Sequence, residues 1–174
     1  MEGEWKIAFT FPLLPSTLYL LPLLLLFACG FQLRGDTGLD LKTINVTQAG
    51  GSQVAAEIRR TLSTSQTRVV NAPEQAEAHL RILREVREKS IYTLTGAGRV
   101  YEFQLRLAVQ YQLTAPKLEA PVIAPTEVEA RRLITYVESA PIAKDAEEEL
   151  LYKDMQADLA RQILRRVAAA KREM

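Results

Sequence analysis

Cysteine and histidine each occur once in this 174-residue sequence, and each scarcity removes a class of explanation. One thiol makes neither an intramolecular disulfide framework nor a zinc site built on several thiolates. One imidazole, His79, at the start of an extended segment, gives a Ser-His-Asp arrangement little to be built on. It reads as structural or solvated. An excess of one charge is missing too. The 22 Lys and Arg face 21 Asp and Glu, a net of +1, so there is no basic footprint for nucleic acid. The acidic residues fall on helix faces or alternate with Lys and Arg, the pattern of solvated surface. Gly96-Ala97-Gly98 has no helix after it and reads as a hairpin turn rather than a phosphate-binding loop. The composition, 48% hydrophobic and 25% charged, is that of an ordinary globular chain. Nothing in it points to an enzyme or a bound cofactor.

Charge is wholly absent from residues 7–29, and residues 18–27 read L-Y-L-L-P-L-L-L-L-F. A membrane-spanning helix needs about 20 apolar residues, and the run is just long enough. Pro12, Pro15 and Pro22 interrupt it, each removing a backbone donor. A cleaved secretory signal needs a shorter apolar core and small residues before the cut. The run ends at the single cysteine, and Leu26-Phe27-Ala28-Cys29-Gly30 resembles the lipobox of bacterial lipoproteins. There the cysteine is acylated and becomes the new N-terminus. This reading is favoured over an uncleaved anchor or an ordinary signal, because a leftover cysteine in an exported protein calls for a role. A multiply acylated Cys29 would hold the chain at a bilayer, since each buried methylene is worth about 0.8 kcal/mol. Gly30, rather than Asp, after the cysteine resembles the outer-membrane sorting pattern.

The expected organisation is a signal peptide at residues 1–28, a lipidated N-terminus and tether at 29–42, and a folded domain at 43–170. A mature chain of this size buries roughly 68% of its unfolded surface, enough for a core without metals or disulfides. Thr43 to Thr47 read as a β-branched strand. Ser52 is placed to cap a helix whose Val54, Ile58 and Leu62 recur every four residues. Leu80, Ile82 and Val86 give a second strand in which Arg84 spoils the alternation. From Tyr101 to Leu113, seven apolar residues alternate with Glu102, Gln104, Arg106, Ala108, Gln110 and Gln112. That is a long strand with one buried and one wetter face. Pro116, Pro121 and Pro125 mark a connection. Val128, Ala130, Ile134 and Tyr136 form a fourth strand, interrupted by Arg132. Asp145-Ala146-Glu147-Glu148 is placed as a capping box opening a C-terminal helix, whose Leu151, Met155, Leu159, Ile163 and Val167 recur every four residues. Carboxylates at its start and Arg165, Arg166, Lys171 and Arg172 at its end suit the macrodipole.

The fold class is therefore α+β: a four-stranded, mostly antiparallel sheet with two helices packed on one face, in the order β-α-β-β-β-α. The first crossover should be parallel. The other sheet face is left without a cover from its own chain, which argues for a partner, with a solvated polar face as the alternative.

The opening Cys29-Gly30-Phe31-Gln32-Leu33-Arg34, the Tyr101-Glu102-Phe103-Gln104 strand and the Ile142-Ala143-Lys144-Asp145 helix entry resemble the LPS-assembly lipoprotein LptE family. The likeness covers nearly all of the mature chain. It implies a non-enzymatic outer-membrane lipoprotein, lipid-anchored and periplasm-facing, lying partly inside the lumen of the β-barrel LptD. Such a protein assists that barrel's assembly, plugs it and helps lipopolysaccharide reach the outer leaflet. It also implies lipopolysaccharide binding through basic residues. One falls on Lys144; the loop position falls on Gly96, which leaves Arg99 as the nearest cation. The competing reading is a free periplasm-facing lipoprotein that binds a small or lipidic ligand without a barrel.

Overall fold

The computed structural model describes residues 39–136, 139 and 141–171. The N-terminal apolar run and Cys29 lie outside the described residues. The elements run β1 (Thr43–Gln48), α1 (Gln53–Ser63), β2 (Arg68–Val69), a 3-10 turn (Pro73–Gln75), β3 (Ala78–Leu94), β4 (Val100–Thr114), β5 (Ile123–Thr135) and α2 (Pro141–Ala170). The sheet order is β2-β1-β3-β4-β5. β1 pairs parallel with β2 and with β3, while β3, β4 and β5 form an antiparallel meander. The α+β class and the parallel first crossover are as expected. The sheet has five strands rather than four, because the two-residue β2 adds a parallel edge beside β1. Asn45 fastens that edge from β1: its buried side-chain amide donates to the carbonyls of Val70 and Asn71.

One core joins both helices to one face of the sheet. Val54, Ile58 and Leu62 of α1 are fully buried, as are Met155, Ile163 and Val167 of α2, which face Leu105, Leu107, Val109 and Tyr111 of β4. Leu39 and Leu41, ahead of β1, are also buried in this core, so the folded unit takes in residues before position 43. The expected Ser52 cap is present, its side chain accepting from the Ala55 N–H.

Three departures have local causes. Ile82 pairs with Tyr111 and Arg84 with Gln110, so Leu83 is an extra residue in β3. A bulge of this kind exchanges the faces of the strand, which is why Arg84 broke the alternation; β3 continues past it to Leu94. Pro125 lies within β5 rather than in the connection before it. β5 is an edge strand, where a missing N–H is tolerated. The C-terminal helix opens at Pro141, four residues before the expected Asp145 cap. Proline suits the first helical position because that N–H has no intrahelical partner.

Candidate functional site

The 17-residue β3 and 15-residue β4 run past the start of α2. Beyond that point no helix among the described residues covers the apolar face, and the residues on it become exposed. Ile91 and Tyr101 are 58% and 51% exposed, although Phe103, two residues from Tyr101, is half-buried against the core. The hairpin closes through a tight turn in which the Thr95 N–H donates to the Arg99 carbonyl and the Gly98 N–H to the Thr95 carbonyl. Gly98 has φ +75°, the left-handed region that glycine occupies without a side-chain clash.

Arg99 is exposed in this turn. Lys144 lies in the first turn of α2, with its ammonium 2.7 Å from the Glu147 carboxylate. Phe103 is four residues after Arg99, about 13 Å along an extended chain. Lys144, not Arg99, shares a pocket with Phe103. The two expected cations thus occupy one end of the fold without converging in that pocket.

The pocket beside Lys144 brings together residues that the sequence offered only as parts of separate elements, and one, Lys89, that it did not single out. Lys89 of β3, Phe103 of β4, Tyr136 just after β5, and Glu148 of α2 line it. The Lys89 ammonium is 2.6 Å from a Glu148 carboxylate oxygen and 4.6 Å from the centroid of the Phe103 ring. Phe103 and Tyr136 meet edge to face at 5.7 Å. One turn along α2, Arg87 stacks over Tyr152, whose hydroxyl donates to the Glu88 carbonyl. Burial, reinforced by the nearby Glu148 carboxylate, raises the Tyr152 phenol above its usual value. The signal for Lys89 was present as a cation in the Glu85–Ser90 run. Its orientation depends on the Leu83 bulge, which the sequence did not reveal.

The sheet face that no described helix covers has a different chemistry. Its hub is Arg106 of β4, whose guanidinium binds Glu88 of β3 and both Glu127 and Glu129 of β5 at 2.6–3.0 Å. Glu129 is also paired with Arg131 at 2.7 Å. The hydrogen bond from Arg106 holds the Glu129 carboxyl below the usual range, and the same contact raises Arg106. Gln104, Gln110 and Gln112 project from the intervening β4 positions on this face. His79 lies at its other end, among Asn45, Thr47, Arg81 and Thr114. Among the described residues no cluster of His, Cys, Asp and Glu is suited to a metal ion, and no helix is long and apolar enough to cross a membrane.

Residues 41–167 match the model of the LptE family, described as lipopolysaccharide-assembly. The LPS-assembly lipoprotein LptE of Pectobacterium atrosepticum is 27% identical over 151 residues, covering 84% of this chain and 80% of that protein. Its counterpart in Yersinia enterocolitica is 28% identical over 151 residues, covering 84% and 72%. Among solved structures, lipoprotein B of Nitrosomonas europaea superposes with a TM-score of 0.69 at 37% identity, covering 80% of this chain and 91% of that one. The rare lipoprotein B of Shewanella oneidensis superposes at 0.66 with 25% identity, covering 75% and 97%. With the family model spanning β1 through most of α2, the chain belongs to the LptE family of lipopolysaccharide-assembly proteins.

Proposed function

We propose that this chain is an outer-membrane lipoprotein, acylated at Cys29 after removal of residues 1–28, that assists assembly of the LptD β-barrel and plugs its lumen. Residues 29–42 carry the anchor and lead into the domain, and the folded part faces the periplasm and the barrel interior. It binds lipopolysaccharide and helps deliver it to the outer leaflet, without catalysis. The observation that carries the reading is the uncovered sheet face. It presents an Arg106-centred ion network and a row of glutamines on a rigid sheet. Barrel interiors are polar, so a polar face on a protein of this family suits enclosure by such a wall better than an apolar one would.

Lys144, and with less weight Arg99, are the proposed contacts for lipopolysaccharide phosphate. Exposed ion pairs contribute little stability, so a phosphate with a charge near −2 and three acceptor oxygens can take Lys144 from Glu147. Affinity capture of the tagged lipoprotein from outer membranes should bring down a β-barrel in stoichiometric amount; a monomeric lipoprotein without one would favour the barrel-free alternative. Depletion should lower lipopolysaccharide at the cell surface. Mass spectrometry should find Cys29 acylated, and a bare thiol would remove the anchor. The Lys144→Asp variant should bind purified lipopolysaccharide about tenfold more weakly with an unchanged far-ultraviolet spectrum.

A further inference from the structure

We propose that Lys89 is a second phosphate-binding cation, acting with Lys144 on the same phosphorylated amphiphile; this rests on the lipopolysaccharide-binding reading above. Lys89 and Lys144 come from different elements, β3 and α2, yet line one pocket together with the apolar Phe103, Ile134, Tyr136 and Pro141 and the carboxylates of Asp145 and Glu148. Each ammonium is occupied by a single carboxylate of the same helix, Glu148 for Lys89 and Glu147 for Lys144. Both pairs are partly exposed, with the lysine side chains at 39% and 23%. Both carboxylates can therefore be displaced at small cost by a more highly charged anion.

The surroundings fit the rest of an amphiphile. Ile91 is the register partner of Phe103, so it stands on the same side of the sheet, toward the start of α2. Ile91 and Tyr101 are exposed on the hairpin that carries Lys89 and Phe103, and Ile142, 84% exposed, is two residues before Lys144 in α2. A headgroup phosphate on the two ammoniums would leave acyl chains to lie on these apolar side chains, where burial of apolar surface favours them. Phosphate esters on an acylated sugar and a glycerophospholipid headgroup both have this chemistry, and lipopolysaccharide is the source taken here because the site adjoins Lys144, the proposed lipopolysaccharide contact.

Two substitutions break the same Lys89–Glu148 ion pair and separate a ligand role from a structural one. Full-length protein is titrated with purified lipopolysaccharide and, separately, with phosphatidylglycerol vesicles. Lys89→Gln should weaken lipopolysaccharide binding about tenfold, and Glu148→Gln, which frees the ammonium, should strengthen it. Lys89→Arg should retain most of the affinity. Shifts of the same sign in the two Gln variants would assign the pair to stability and overturn the proposal. Equal losses on phosphatidylglycerol vesicles and lipopolysaccharide would make Lys89 a general anionic-lipid contact and overturn the assignment of source. Loss of binding in Lys144→Asp but not in Lys89→Gln would remove Lys89 while leaving the functional reading intact. Failure of the unaltered protein to bind lipopolysaccharide would defeat both.

Discussion

Tyr111 is fully buried in the core, and its hydroxyl finds no hydrogen-bond partner among the described residues. A buried hydroxyl without a partner costs about 1–3 kcal/mol. Tyr111→Phe should therefore keep or raise the urea midpoint, by up to about 1 kcal/mol, and a clear fall would show that the hydroxyl is bonded in solution. Tyr152 differs, since its hydroxyl donates to the Glu88 carbonyl. Burial raises its phenol, so the folded state holds the proton to higher pH than the unfolded chain does. The stability this contributes is complete below about pH 10 and is lost as pH rises toward the folded value. Melting temperature should fall more steeply above pH 10 in the unaltered protein than in Tyr152→Phe; parallel slopes would refute the assignment.

At the scale of elements, α1 is capped twice. Ser52 accepts from the Ala55 N–H within the helix, while Glu85, a β3 residue 33 positions away, accepts from the Ser52 hydroxyl and the Val54 N–H. The first cap was legible from Ser52 and its following apolar repeat. The second was not, because Glu85 turns toward the helices only through the Leu83 bulge. Glu85→Ala should cost about 1–2 kcal/mol, read as a lower urea midpoint, and an unchanged midpoint would show that solvent replaces the carboxylate. Arg132 follows similar logic. It stands at an inward position of β5, a place that looked like a break in the strand. At this edge it reaches Asp158 of α2 at 2.6 Å and shares that carboxylate with Arg161. A tertiary ion pair thus allows a charge where the alternation called for an apolar side chain.

At the scale of the molecule, the two faces of the sheet divide the labour. One is spent on the core with α1 and α2, and the other holds the Arg106 network and the glutamines. Because that second face contributes little to the core, a bulky change there should act on partnership more than on folding. Gln104→Trp should leave the melting temperature nearly unchanged while reducing capture of the proposed barrel partner. Equal capture would exclude this part of the face from the interface.

The repeats in the sequence by themselves determined the α+β class, the order of the main elements and the helix-covered face, because each periodicity reports which side of an element meets the core. Residues 100–114 were legible for this reason: seven alternating apolar residues leave no helical face. Local pattern has no access to which distant residues meet. The two-residue β2, the Pro141 start, the Glu85 cap and the lysine pair at Phe103 were decided only by tertiary structure. Of the candidate site, Lys144 was named only through the family resemblance, which puts a basic residue at the helix entry, whereas Lys89 lay in a charged run with nothing local to distinguish it. A one-residue bulge and the point where α2 stops covering the hairpin set its direction and its neighbours.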